Sequence, residues 1–350
     1  MKRKGKTIRN AIIFILLIIL TFYIILKDQN IDEIIKIIGN VKIQYVLIAV
    51  ISMCIYAMCE AINIGRTLKV LNEKTSFFNN IKYALIGFFF SGITPAASGG
   101  QPMQIYYMYK DKISVANSTL ALLINLSSMQ VVTISLALIS VIINHNILNT
   151  ALTCFFVIGI LLNASALSLL LIAIFSKKLL QKLINIVVKI MKKLKIKNID
   201  QKQEKIQAEL SKYQNSSDYI KNNKLVIIKT IITTYIEFLA LYSVSYWVYC
   251  SFGLNKYNIF KIISIQAVLY GTVSGIPSPG AVGVTEGGFI EIFKTIFPQN
   301  IINSAMILNR GINFYLLIIV SAIITIVNAV KCQKMEEKIT ENKWEKSWKK

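Results

Sequence analysis

Glu286 and Arg310 are ionisable residues set in apolar sequence, AVGVTEGGFI and ILNRGINFYLL. Inside a bilayer such groups are costly unless they face a partner, a ligand or water, so each marks a candidate functional site. Glu286 follows Pro277, Pro279, Gly280 and Gly283 in the segment Ser274–Gly288, SGIPSPGAVGVTEGG. The prolines remove backbone donors and end a helix, and the glycines free the backbone. Thr285 and Glu286 then open the next helix, where the dipole favours a carboxylate. Glu286 reads either as a helix cap or as a binding group. Arg310 reads as its counter-charge or as the holder of an anionic ligand. Glu237, in TTYIEFLALY, is a further intramembrane acid, whereas Glu60 is accounted for by Arg66, which follows within two turns.

A second break of the same composition, SGITPAASGGQP, occupies Ser91–Pro102. Gly92, Gly99 and Gly100 permit unusual backbone, and Pro95 and Pro102 interrupt helix. A proline starting a second half-helix loses no hydrogen bond. That reading leaves the amides from Gly99 to Met103 exposed at a helix N-terminus, a ready site for a phosphate. Thr94, Ser98, Gln101 and Gln104 add neutral hydrogen-bonding groups. The competing reading is an architectural turn whose polar side chains satisfy only its own backbone. No Walker A loop, H-E-x-x-H, Cys/His cluster or G-x-S-x-G occurs, so nothing calls for ATP, a metal, another cofactor or hydrolase chemistry. Cys54, Cys59, Cys154, Cys250 and Cys332 show no metal-ligand spacing, and the single histidine, His145, lies in a short turn.

The elements that must hold these breaks are transmembrane helices. The 350 residues are 55% hydrophobic and 16% charged, with mean hydropathy +0.57. Continuous spans are expected at Asn10–Leu26, Tyr45–Ile64, Val115–Ile143, Leu148–Phe175, Leu225–Phe252 and Ile302–Val330. Phe77–Tyr109 and Tyr257–Phe297 each read as helix, break, helix. The basic N-terminus ahead of Asn10 has no small-residue cleavage site after its apolar run, so an uncleaved first helix is expected. The expected fold is thus an all-α polytopic membrane protein with about six full crossings and two re-entrant broken-helix hairpins. The alternative is that one or both hairpins span fully, giving up to eight crossings.

Charge bias orients the chain with both termini in the cytoplasm. The segment 177–224 carries 13 lysines against four acids and also belongs inside. The hairpins then enter from opposite sides and their tips meet near mid-membrane. The membrane domain is taken as 1–335, with 177–224 as a basic cytoplasmic insert and 336–350 as a short cytoplasmic tail. Within the insert, Lys178, Lys182, Lys189, Lys192 and Lys193 gather on one side of a helical wheel and apolar residues on the other. That pattern suits a helix lying in the interface against an anionic membrane surface. The net charge of +22 is assigned to anionic headgroups rather than to nucleic acid, because the lysines flank apolar spans.

The motifs P-x-x-S-G-G-Q-P at Pro95–Pro102 and P-x-P-G-x-x-G-x-x-E at Pro277–Glu286, with an Arg in the last span, resemble the lysylphosphatidylglycerol synthase transmembrane family. This is the membrane part of the bacterial multiple peptide resistance factor and its stand-alone relatives. The likeness runs from about Lys6 to Lys331. The resemblance implies a lipid translocase of the bacterial cell membrane, moving an anionic or aminoacylated phospholipid such as lysyl-phosphatidylglycerol. In that family the full-length factor adds a soluble aminoacyl-transferase domain. Here the chain ends about 20 residues after its last span, so a form lacking that domain is expected. The alternative is a phosphatidylglycerol lysyltransferase, or the membrane subunit of a split one, for which lysyl-tRNA would be the one nucleic-acid partner. A secondary transporter for a soluble anion is a weaker third reading, and a homodimer stays open. On the translocase reading the amides of both breaks and Arg310 hold phosphate, while Glu286 and Glu237 are available to an aminoacyl ammonium.

Overall fold

The computed structural model describes residues 31–144, 150–193, 199–276 and 278–330. The expected span Asn10–Leu26, His145, Pro277 and the tail from Lys331 onward lie outside the described residues. All secondary structure among the described residues is helical. In chain order the helices are α1 (Ile31–Gly39), α2 (Ile43–Val70), α3 (Phe77–Gly92), α4 (Gly100–Lys110), α5 (Val115–Ile143), α6 (Thr150–Phe175), α7 (Lys177–Lys193), α8 (Ile199–Asn222), α9 (Lys224–Ser251), α10 (Ile259–Val273), α11 (Val284–Phe293) and α12 (Ile302–Arg310). The last of these runs on through a π-helical turn at Gly311–Leu316 to Val330.

Five helices among the described residues, α2, α5, α6, α9 and the extended α12, are long and apolar enough to cross a bilayer. Their outer faces carry exposed apolar rows, such as Ile319, Ile323 and Ile326 or Ile139 and Ile142. In water such rows would be unfavourable; against lipid they are the solvated surface. The protein is an all-α polytopic membrane protein. By contrast α3 (16 residues), α4 (11), α10 (15) and α11 (10) are short. At 1.5 Å per residue, none exceeds about 24 Å, less than the ~30 Å hydrocarbon core.

Side-chain caps fix where several of these helices begin. Ser76, Ser114 and Asn258 accept from the amides of Asn79 (3.2 Å), Asn117 (3.2 Å) and Lys261 (2.9 Å). Such a cap satisfies one of the four donors that a helix leaves open at its start. The amphipathic α1, absent from the sequence reading, packs against α12.

One order of elements occurs twice: long helix, short helix, 3-10 turn, short helix, long helix. The first copy is α2, α3, Pro95–Ala97, α4, α5, and the second is α9, α10, Pro279–Ala281, α11, α12. Thr94, Pro95, Ala97 and Gly99 correspond to Ser278, Pro279, Ala281 and Gly283. Thr94 and Ser278 are both extended, at φ −120° and −113°. Ala97 and Ala281 both sit in the left-handed region, at φ +53° and +51°. The leading helices of the two copies, α2 and α9, pack against each other more extensively than any other two helices among the described residues.

Helices α7 and α8 fall within 177–224, between the two copies in chain order. Tyr213 donates to the Ala173 carbonyl (3.0 Å), Glu209 accepts from the Ala116 amide at the start of α5 (2.9 Å), and Ser216 donates to Asn117 Oδ1 (2.7 Å). Burial pushes the Tyr213 phenol up, so it stays a neutral donor. Lys178, Lys182 and Lys189 of the strongly amphipathic α7 are exposed.

Candidate functional site

In the first break, α3 stops at Gly92 and α4 starts at Gly100. Pro102 therefore stands in the first turn of α4 rather than at its opening residue. It is tolerated there because the amides of that turn have no intrahelical acceptor. Thr94 closes the loop: its hydroxyl donates to the Phe90 carbonyl (2.5 Å) and accepts the Gly99 amide (2.9 Å). Gly100 lets the two half-helices touch, since a Cβ there would lie 2.0 Å from Ser91 Oγ. Buried Gln104 reaches back over Gly87 to the Tyr83 carbonyl (3.1 Å).

The second break turns more sharply. Gly280 has φ +59°, and a Cβ on it would lie 2.2 Å from Phe314 Cζ. The amides of Ala281 and Val282 go to the carbonyls of Ser278 and Pro279, both at 3.2 Å. The amide of Gly283, at φ +87°, donates to Glu286 Oε2 (2.7 Å). Glu286 Oε1 takes Arg310 Nε (2.8 Å) and the Tyr315 hydroxyl (3.2 Å). Arg310 Nη2 donates to the Gly280 carbonyl (3.1 Å), and its guanidinium lies 4.3 Å over the Phe314 ring. Glu286 is thus cap and counter-ion together, with both oxygens engaged.

The two breaks touch and line one cavity of about 850 Å³. Ser98, Gln101 and Gln104 face it from the first break, and Gly280 and Thr285 from the second. Among the described residues, Arg310 and Glu60 are the only charged side chains in its wall. Four buried polar atoms on residues of that wall, Asn125 Oδ1, Gln130 Oε1, Ser278 Oγ and Asn313 Oδ1, have no hydrogen-bond partner among the described residues. An orphaned buried acceptor costs about 1–3 kcal/mol, so these atoms point to a polar occupant, water or ligand.

Several expected site residues stand outside the cavity wall. Thr94, Gly99 and Gly100 shape the first turn, and Pro279, Gly283 and Glu286 the second. The amides of Gly99, Ala281, Val282 and Gly283 are all satisfied within the protein, so three of the four amides expected to be free at Gly280–Gly283 are already engaged. Glu237 is fully buried between α9 and α2, where Asn63 Nδ2 donates to its Oε2 (3.5 Å). Glu60 is the residue that the sequence reading misplaced. Arg66 turns away from it to Asn63 Oδ1 (2.9 Å) and Thr233 (2.8 Å), leaving Glu60 facing the cavity beside Gln104. A signal existed in the polar stripe Ser52, Tyr56, Glu60, Asn63 and Thr67, at helical spacing along α2.

Residues 10–321 match the model of the lysylphosphatidylglycerol synthase TM region. The chain belongs to the lysylphosphatidylglycerol synthase transmembrane family. It is also 22% identical over 318 residues to a UPF0104 membrane protein of Pyrococcus horikoshii, covering 87% of this chain and 93% of that one. The family match takes in both breaks and the basic insert between the copies, and every residue of the cavity wall falls within it.

Proposed function

We propose that this family member translocates an anionic or aminoacylated phospholipid, such as lysyl-phosphatidylglycerol, between leaflets. The observation that carries the reading is that two broken helices line one cavity whose wall, among the described residues, holds a single base and a single acid. Arg310 takes the phosphate, as a guanidinium fixed by Glu286 and Gly280 with further N–H donors to offer. Ser98 and Gln101 add neutral hydrogen bonds, and Glu60 rather than Glu286 receives the aminoacyl ammonium. The acyl chains stay in lipid while the headgroup crosses. The volume is that of a pocket for a small organic molecule, roughly 300–1,000 Å³.

On this reading the two hairpins are re-entrant and enter from opposite leaflets. Their shortness and their shared local build support that arrangement, as does the packing of α2 on α9. It puts the insert, with the exposed lysines of α7, on the cytoplasmic face of a bacterial cell membrane. There each basic residue contributes about 1 kcal/mol of attraction to anionic lipid.

The test is reconstitution of the full chain in liposomes with fluorescent lysyl-phosphatidylglycerol. Transbilayer movement well above that of protein-free vesicles is expected, and equal rates contradict the reading. Incubation with lysyl-tRNA and phosphatidylglycerol forms no lipid-linked lysine on this account; its formation by the chain alone would identify a transferase instead.

A further inference from the structure

Glu237 has no place in the lipid site, yet it is an acid with no cation paired to it among the described residues. Its side chain is 0% exposed, and Oε1 has no hydrogen-bond partner among the described residues. The neighbouring carboxylate is Glu60, on the facing helix α2 one turn before Asn63, whose Nδ2 donates to Glu237 Oε2 (3.5 Å). Neither acid forms an ion pair among the described residues: the bridges found there join Lys82–Asp111, Lys177–Asp218, Lys212–Glu73, Lys294–Glu291 and Arg310–Glu286.

The other ionisable groups around the pair do not neutralise it. From α2 come Tyr56, Cys59 and Arg66, and Arg66 is bound to Asn63, Thr230 and Thr233. Tyr242 comes from α9 itself and Tyr270 from α10. Lys82 and Tyr83 of α3 are bound to Asp111, and Arg310 of α12 is held by Glu286. Helix α5, also packed on α9, carries no ionisable residue.

Two carboxylates sharing a site do not both ionise, because each makes the other's charge more costly, and Glu237, unlike Glu60, is wholly buried and outside the cavity wall. A proton held between them also gives Glu237 Oε1 the donor that the protein does not supply. Acid pairs of this kind inside a membrane serve as proton relays. We propose that Glu60 and Glu237 form a proton site that drives the transport cycle by proton exchange. The pair holds one proton while the cavity is empty. When a headgroup ammonium arrives at Glu60, that proton leaves through Glu60, the member of the pair that opens on the cavity. Headgroup and proton then occupy the pair alternately, and lipid movement draws on the transmembrane pH gradient. The proposal rests on the translocase reading for its second half only.

Infrared spectroscopy tests the first half without any transport. Purified full-length protein at neutral pH is expected to show a protonated-carboxyl band that moves on carbon-13 labelling of glutamate. The band should vanish in Glu237→Gln, shift in Glu60→Gln and persist in Glu286→Gln. A wild type without the band, or a band untouched by both Glu237→Gln and Glu60→Gln, overturns the proton site.

Liposomes carrying fluorescent lysyl-phosphatidylglycerol test the second half. An imposed pH gradient should change the wild-type rate several-fold, and the ratio of rates with and without the gradient should fall to one in Glu237→Gln. A wild-type rate indifferent to the gradient overturns the coupling. No movement under any gradient contradicts the translocase reading instead, and the infrared band then decides the proton site by itself.

Discussion

Arg310→Ala should lower stability by about 3–5 kcal/mol, the usual cost of stripping one partner from a buried ion pair. The loss comes mostly from what stays behind: Glu286 keeps a buried charge with only the Gly283 amide and the Tyr315 hydroxyl for company. The Gly280 carbonyl also loses its donor. Heat unfolding in detergent, followed by circular dichroism, reads the effect directly. The informative comparison is the double variant Glu286→Gln with Arg310→Met. It removes both charges yet keeps an acceptor for the Gly283 amide, and most of the stability should return. Lipid translocation should not return, because no guanidinium is left to hold phosphate. If the double variant regains transport together with stability, Arg310 is only a brace for the second break.

Gly280→Ala should be nearly as damaging, for a different reason. A left-handed backbone costs a non-glycine residue roughly 1–2 kcal/mol, and overpacking adds about 1–3 kcal/mol. Here the new Cβ would lie 2.2 Å from Phe314 Cζ. The ring must move, and Arg310 stacks on that ring, so the damage passes to the guanidinium. Adding Phe314→Leu should recover the steric part and leave the backbone part. A matched pair of unfolding curves measures this. If Gly280→Ala is as stable and as active as the wild type, the turn is not the rigid frame described above.

The prolines and glycines of both breaks announced interrupted helices, because such residues cannot continue a helix through lipid at no cost. The pairing of Glu286 with Arg310 was legible for a similar reason, since a lone charge at that depth is untenable. What the sequence could not settle was the partner of each remaining polar group. Arg66 stands within two turns of Glu60 along α2, yet it bonds to Thr230 and Thr233 of α9. Such a choice depends on how two helices are rotated against each other, and α2 and α9 are apolar over most of their surface, which leaves several rotations open. The duplication of the broken-helix unit was hidden too. The two copies share little beyond Thr94/Ser278, Pro95/Pro279, Ala97/Ala281 and Gly99/Gly283, because lipid-facing positions accept almost any apolar residue. Nor does any residue type signal the π-helical turn after Arg310.

A lysyl-phosphatidylglycerol with a photoreactive group on its headgroup provides the most direct measurement. After irradiation of the reconstituted full chain, labelled peptides are identified by mass spectrometry. Adducts in both Ser91–Pro102 and Ser274–Gly288, displaced by unlabelled lipid and reduced in Arg310→Ala, are the expected outcome. Labelling confined to the outer apolar rows, such as Ile319, Ile323 and Ile326, would place the headgroup outside the cavity and contradict the account.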